Sequence, residues 1–296
     1  MSDSTPSNGT IGVFYQARGA DDDSLLKFQI FRDSYRRWKA GAEHQLYVIY
    51  KGFGNASFLA QARDVFADLL HQGIYLEDDG LDLGAYFRAA SRVEHEKICF
   101  LNTNSKICGP SWLLKLAINL AEDVGMVSCS GNYEAPQHPG RDNLPYPNPH
   151  LRTNGFMIRR KHFLEMQPET GITDKMDAYM LEHGPASFTR RFASQGLKSL
   201  LVGKNGRGYE PAWWPKSETF RQGGQSNLLI ADNRTQDFDK SPLDEKRILY
   251  HLSWGDVGTR CLEGLFAPVG ATAGDAHKGV KTLASQKGGP LGNISR

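Results

Sequence analysis

Apolar residues recur at two different spacings along the first half of the chain. Residues 24–38 (SLLKFQIFRDSYRRW) place them three or four positions apart, as on one face of a helix, and Ser24 is predicted to cap that helix. Residues 45–50 (QLYVIY) are instead rich in β-branched and aromatic side chains, which is typical of a buried strand. The two patterns alternate as far as Ser130, so strands and helices are predicted to alternate as well.

The alternation favours an α/β fold of three layers, in which helices flank a mostly parallel sheet and an irregular C-terminal extension follows. Strands are predicted at 11–15, 45–50, 73–76, 97–101, 126–130, 154–159 and 197–202, and helices at 24–38, 57–70, 83–94, 111–122 and 188–195. Pro, Asn and Gly predict a long loop over 131–153 and a turn over 203–208 (GKNGRG). Ligands of such sheets collect at the carboxyl ends of the strands.

Composition sets the domain boundaries. A chain of 296 residues is long enough to bury one large core. Residues 1–10 are polar and predict a disordered leader, while residues 270–296 hold many Gly, Ala, Ser and Lys and predict a disordered tail. The remaining residues, 11–269, are predicted to form a single domain.

Charge and cysteine spacing exclude several classes of protein. The 35 Lys and Arg against 33 Asp and Glu leave a net charge of only +2, so no nucleic-acid partner is expected. The cysteines lack C-x-x-C spacing and predict reduced thiols in the cytoplasm; they are Cys99, Cys108, Cys129 and Cys261. The polar first residues and the lack of a run of about 18 apolar residues predict neither a signal peptide nor a membrane span. Peripheral association with the inner face of the membrane stays open, and so does the oligomeric state.

A polar turn follows one of the predicted buried strands. Residues 97–101 (KICFL) lead directly into Asn102, Thr103 and Asn104, at an edge of the sheet where ligands collect. The alternative is a polar turn that only caps the helix predicted to start near Ser111.

The order of four segments resembles the GT-A class of nucleotide-sugar glycosyltransferases, especially bacterial family 2 and rhamnan-synthesis enzymes. The segments are DDGLDLGAY (78–86), FLNTNS (100–105), HLRTNGFMIRR (150–160) and LEHGPASFTRRFASQGLKSLLVG (181–203). The resemblance spans about residues 10–205. It implies transfer of a sugar from a nucleotide-diphosphate donor to a glycan or lipid-linked acceptor, in polysaccharide biosynthesis. It also implies a nucleotide-binding half, 11–130, and an acceptor-binding half, 131–269.

The chain departs from that class at the metal motif. The class places D-x-D where this chain has Asn102, Thr103 and Asn104. Mg²⁺ and Mn²⁺ prefer anionic oxygen, and an amide supplies only a dipole. The sequence therefore does not predict a bound Mg²⁺ or Mn²⁺, although binding of either ion stays open. Amide and hydroxyl groups would then bind the diphosphate or sugar directly. The cations named for the leaving diphosphate are Arg152, Arg159 and Arg207.

The resemblance also assigns the donor contacts. The predicted nucleotide contacts are Asp79, Asp82 and Gly84, and Arg152 and Asn154 are expected to join Asn102, Thr103 and Asn104 at the diphosphate and sugar. The alternative for the acidic segment is a glycine turn with an Asp cap. A metal held by Asp78, Asp79 and Asp82 is a further alternative.

An acidic residue in the resembling family deprotonates the acceptor hydroxyl. The nearest match is Glu182, with His183 as its partner or as the base itself, and Asp177 and Asp174 are reserves. A packed or exposed histidine is the alternative for His183.

Acceptor contacts are predicted in two segments. Their residues are His150, Trp213 and Trp214, with Arg221, Gln222 and Gln225 for hydroxyl groups. Core packing is the alternative for the tryptophans. Two other functions stay open: a glycan-binding protein that lost catalysis with D-x-D, and a different nucleotide enzyme, which the lack of a glycine fingerprint after Tyr15 disfavours.

Overall fold

The computed structural model describes residues 11–255. The predictions for residues 1–10, for the tail and for the end of the domain lie outside these residues, as does Cys261. Within the described range, no helix is both long enough and apolar enough to cross a membrane.

The helices and strands follow the predicted alternation through the first half of the chain. The strands are β1 (Ile11–Arg18), β2 (His44–Lys51), β3 (His71–Tyr75), β4 (Lys97–Leu101), β5 (Lys106–Ile107), β6 (Val124–Ser128), β7 (Gly131–Asn132), β8 (His150–Leu151), β9 (Phe156–Arg159), β10 (Lys198–Val202), β11 (Gly208–Tyr209) and β12 (Ile230–Ala231). The helices are α1 (Ser24–Arg37), α2 (Ala56–Val65), α3 (Leu81–Ala90), α4 (Trp112–Asn119), α5 (Arg160–Glu165), α6 (Lys175–His183), α7 (Phe188–Ser194), α8 (Asn233–Lys240) and α9 (Leu243–Trp254), with a 3₁₀-helix at Pro211–Lys216.

One sheet of eight strands organises the fold, in the order β11-β10-β6-β9-β4-β1-β2-β3. Its pairs are parallel except those made by β9 and β11. The predicted α/β class with a mostly parallel sheet is therefore confirmed. The predicted turn over 203–208 closes the β10–β11 hairpin.

The reversed strand β9 brings the middle of the chain to the carboxyl edge of the sheet. Phe156, at the start of β9, pairs with Phe100 near the end of β4 and with Ser128 at the end of β6. The residues just before β9, 152–155, therefore lie beside the residues that follow β4. Two short sheets, β5–β12 and β7–β8, join further segments beyond the same edge.

Aromatic side chains cover both faces of the sheet. On one face, the rings of Tyr15 and Phe31 stack with centroids 3.7 Å apart, which fixes α1 against β1. On the other face, Phe100 of β4 stacks on Tyr86 of α3 at 4.5 Å. The two packed faces make the sheet the middle layer of three.

Several predicted boundaries differ from the structure. The prediction that Ser24 caps α1 is wrong: Asp23 is the cap residue, in a left-handed conformation and without a side-chain cap hydrogen bond, and Ser24 is buried in the first turn. Helix α2 ends at Val65 instead of residue 70, because tighter hydrogen bonds from Phe66 and the residues after it replace the α-helical pattern.

The sequence pattern missed four helices in the second half of the chain, α5, α6, α8 and α9. Their apolar spacing is weak, but two of them begin with a capping box. Asp174 and Asp177 cap α6, and Asp232 and Thr235 cap α8. These short pairs are the local signal that could have located both helices.

Candidate functional site

A cavity of about 450 Å³ lies at the carboxyl edge of the sheet. Its wall includes residues from α3, from the turn after β4, from the segment before β9 and from α6. The predicted site residues that line it are Asp82, Asn102, His150, Arg152, Asn154, Glu182, His183 and Arg221. The structure thus brings together residues that are up to 139 positions apart (221 minus 82).

The turn after β4 is held together by its own amides. The Asn102 side-chain oxygen accepts hydrogen bonds from the Asn104 backbone N–H (3.0 Å) and the Ser105 hydroxyl (3.2 Å). The Asn154 side-chain oxygen accepts from the Asn102 backbone N–H (3.0 Å) and from Ser105 (2.9 Å). The turn does not cap α4, which starts behind Ser111 after an intervening strand, β5.

This arrangement does not fit a metal ion at the D-x-D position. The carbonyl oxygens of Asn102 and Asn154 each accept from a backbone N–H and share the one proton of the Ser105 hydroxyl, so their side-chain N–H groups are what the two amides offer to a ligand. Amide donors match the oxygens of a phosphate or a sugar and repel a cation. Among residues 11–255, no group of three His, Cys, Asp or Glu side chains is arranged to hold a metal ion.

Thr103 and Asn104 do not line the cavity. Thr103 is buried, and its hydroxyl donates to the Gln16 carbonyl (3.0 Å) and accepts from the Arg18 backbone N–H (3.3 Å). The backbone carbonyl of Asn104 faces Gln236, 3.5 Å away. The structure gives Thr103 a role in joining β4 to β1, beneath the cavity.

The carboxylates at the start of α3 have different partners. Asp78 accepts two hydrogen bonds of 2.8 Å from Arg18, and Asp79 forms an ion pair with Arg88 at 2.6 Å. Asp82 alone lines the cavity, where it accepts from the Gln16 amide. Burial raises the pKa of Asp82, which favours its protonated form. The carboxylates of this segment therefore do not converge on one ion.

Gly84 lies inside α3 and outside the cavity wall. An added side chain there would approach only Ile172 and the tip of Arg88, at 3.8 and 4.0 Å. The predicted close approach of a nucleotide to Gly84 has no support in this arrangement.

Glu182 lies in the last turn of α6 and lines the cavity. One of its carboxylate oxygens, Oε2, accepts from the backbone N–H of Thr153 (2.9 Å) and from the Thr153 hydroxyl. These two donors fix the orientation of the carboxylate and leave Oε1 as the oxygen available to a ligand.

Asp177 and Asp174 have a structural role at the other end of α6. The Asp177 carboxylate accepts from the Thr173 hydroxyl (2.7 Å) and backbone N–H (2.9 Å), which lowers the pKa of Asp177. Asp174 accepts from the Asp177 backbone N–H (2.9 Å). Neither carboxylate lines the cavity, so both act as helix caps.

Histidines form one side of the cavity next to Glu182. The Nε2 atoms of His183 and His138 are 3.2 Å apart, and Nδ1 of His150 lies 2.8 Å from the Asn148 carbonyl. Burial lowers the pKa of His150. Burial also lowers the pKa of His183, and the neighbouring His150 adds to this effect, so that the pKa of His183 is about 4. His183 is therefore neutral at pH 7.

The second half of the chain also supplies cationic residues to the cavity. Arg152 forms an ion pair with Asp232 (2.7 Å), and Arg221 forms one with Glu134 (2.6 Å). Arg234 lines the cavity from the first turn of α8. Sequence reasoning missed Arg234 and Glu134, since neither belongs to a strand-end motif.

The other predicted contacts lie elsewhere. Trp214 is fully buried and donates to the Tyr209 carbonyl, and Trp213 is 43% exposed but does not line the cavity. Gln222 and Gln225 are buried and bind backbone groups of their own turn. The remaining arginines named for the diphosphate, Arg159 and Arg207, also lie outside the cavity: Arg159 donates to carbonyls after α4, and Arg207 stacks on Tyr209.

No protein-family model matches the chain, and no curated protein matches its sequence. Solved structures with a related arrangement include 4-diphosphocytidyl-2C-methyl-D-erythritol synthase from Anaerococcus prevotii DSM 20548, at 12% identity and a TM-score of 0.44 over 70% of this chain and 91% of that one. CMP:2-keto-3-deoxy-manno-octonic acid synthetase complexed with CTP has 10% identity and a TM-score of 0.37 over 54% and 79%. HddC from Yersinia pseudotuberculosis has 10% identity and a TM-score of 0.37 over 56% and 84%. Likeness at this level assigns no activity to the chain.

Proposed function

We propose that this protein transfers a sugar from a nucleotide-diphosphate donor to a hydroxyl group of a glycan or lipid-linked acceptor, with inversion at the anomeric carbon. The observation that carries the proposal is the single cavity shared by Asp82, Asn102, Asn154 and Glu182. These residues belong to separate segments, and the segments are those that resemble the GT-A class.

The donor would lie across the carboxyl end of β4 and the start of the reversed strand β9. The amide N–H groups of Asn102 and Asn154 suit the oxygens of a diphosphate or a sugar, because the amide oxygens are already occupied. Asp82 supports binding of a ribose or sugar hydroxyl group: its carboxyl group lines the same cavity and is fixed by Gln16.

Glu182 would act as the general base. The acceptor hydroxyl gives its proton to Glu182 Oε1 while its oxygen forms the bond to the anomeric carbon. The bond between that carbon and the β-phosphate oxygen breaks, and its electron pair leaves with the nucleoside diphosphate. The two Thr153 donors keep the carboxylate oriented. The neighbouring neutral histidines would contact the acceptor rather than compete for the leaving anion.

A direct assay tests this function. The full chain is incubated with UDP-, GDP-, dTDP-, CDP- and ADP-sugars, and release of the nucleoside diphosphate is measured with and without glycan acceptors. We expect release from at least one donor and a faster release with acceptor. A protein that binds glycans but releases nucleotide from none of these donors would instead support a carbohydrate-binding function.

A further inference from the structure

A strained turn places Arg221 in the wall of the cavity. Glu218, Arg221 and Gln225 all have φ between 50° and 54°, a left-handed conformation that is strained for a residue other than glycine. Gln225 holds the turn by accepting from the Arg221 backbone N–H (3.0 Å). The fold therefore imposes this conformation on Arg221.

The Arg221 side chain is buried but incompletely paired. Only 7% of the residue is exposed, and Nη1 donates to Glu134 (2.6 Å) and Ser253 (3.2 Å). Its Nε–H has no hydrogen-bond partner among the residues that the structure describes. An unpaired buried donor on a guanidinium group is costly, so the fold keeps Arg221 in the cavity wall at the expense of one of its hydrogen bonds.

Two more arginines lie in the wall beside Arg221. The guanidinium groups of Arg152 and Arg221 are both within 5 Å of the Phe220 ring, at 4.6 and 4.9 Å from its centroid. Arg234 lines the same cavity and is exposed. We call these three residues the arginine wall.

The arginine wall carries more positive than negative charge. Arg152 is paired with Asp232 and Arg221 with Glu134, whereas Arg234 has no ion pair among residues 11–255. Guanidinium groups bind phosphate oxygens through paired, charge-assisted hydrogen bonds. A group with two or three anionic oxygens fits such a wall.

We infer that the arginine wall binds the diphosphate of the donor and stabilises the charge that develops on it as the sugar leaves. This inference rests on the proposed function. It also accounts for the turn at Asn102, whose amides offer donors rather than metal ligands. In this chain, three arginines would neutralise the negative charge of the diphosphate, in place of the metal ion that a D-x-D motif would hold.

Calorimetry in EDTA tests the inference with UDP, GDP, dTDP, CDP and ADP, and with the matching nucleosides. We expect the wild-type protein to bind one diphosphate about tenfold or more tightly than its nucleoside. Arg234→Gln and Arg221→Lys should each weaken binding of the nucleoside diphosphate by about tenfold, while binding of the nucleoside stays the same. Arg207→Gln, an exposed arginine outside the cavity, should change neither.

Arg234 is exposed, so its substitution tests binding without a large risk to folding. The inference is wrong if a diphosphate binds only after Mn²⁺ or Mg²⁺ is added, or if Arg234→Gln binds it as well as Arg207→Gln does. It is also wrong if the arginine substitutions weaken only a polyprenyl phosphate, because the oxyanion would then belong to the acceptor. In these three cases sugar transfer can still be observed; absence of both nucleotide binding and transfer overturns the proposed function as well.

Discussion

Replacement of Glu182 by Gln is expected to lower the turnover number of sugar transfer by about 10²–10⁴-fold, the range typical for loss of a general base. Glutamine preserves the oxygen that accepts from Thr153, so the segment before β9 should keep its position. It has no basic oxygen to receive the proton of the acceptor hydroxyl. Binding of the nucleoside diphosphate should therefore remain close to that of the wild-type protein.

A second carboxylate on the same helix provides the matched control. Asp177→Asn removes a cap of α6 and should lower the free energy of unfolding by about 1 kcal/mol. At a temperature where the variant stays folded, its turnover number should be nearly unchanged. Steady-state kinetics of both variants with the active donor make this comparison. If activity survives in Glu182→Gln but is lost in Asp177→Asn, the general base is at the other end of the helix and the assignment to Glu182 is wrong.

Replacement of Arg152 by Met is expected to lower the free energy of unfolding by about 3–5 kcal/mol. The substitution leaves the carboxylate of Asp232 buried without its cation, since only 2% of that side chain is exposed. Asp232 also caps α8, so the unpaired carboxylate lies at the start of the helix that carries Arg234. Urea unfolding followed by circular dichroism measures the change.

An exposed ion pair is the control for this experiment. Arg36 and Asp68 have side chains that are 59% and 42% exposed, and Arg36→Met should cost at most about 1 kcal/mol. Equal losses in the two variants would show that the Arg152 pair contributes no more than a surface pair.

The effect of Arg152→Met should also depend on pH. Burial alone would raise the pKa of Asp232, but Arg152 holds that pKa below its ordinary value. A carboxylate with a depressed pKa contributes its stability fully above the pKa of the unfolded chain, at about 4, and loses it as the pH falls through the lower folded value. The difference between wild type and variant should be large at pH 7 and shrink in acid.

The sequence predicted the elements whose pattern is local. Strand β4 and the polar turn after it were visible because a buried run ends abruptly in Asn102. The parallel sheet then determines that this turn and Asp82 lie at the same edge. Glu182 was assigned to the site through the family resemblance and not through periodicity, because the apolar spacing in α6 is too weak to predict a helix.

The residues that the sequence did not reveal come from irregular segments. Arg234 reaches the cavity because β12 pairs with β5, a contact between residues more than 120 positions apart (230 minus 107). Glu134 lies there because the Tyr133 backbone N–H donates to the Ser253 carbonyl. Such long-range contacts leave no local pattern. The same reason explains Trp214, whose spacing could not show that it is fully buried.

The proposed function requires that the cavity at the carboxyl edge of the sheet holds the donor. A crystal structure of the protein with the tightest-binding nucleoside diphosphate tests it most directly. We expect diphosphate oxygens within hydrogen-bonding distance of Arg221 and Arg234, with Glu182 facing the position of the missing sugar. A nucleotide bound outside this cavity, with Asn102 and the arginine wall untouched, would contradict it.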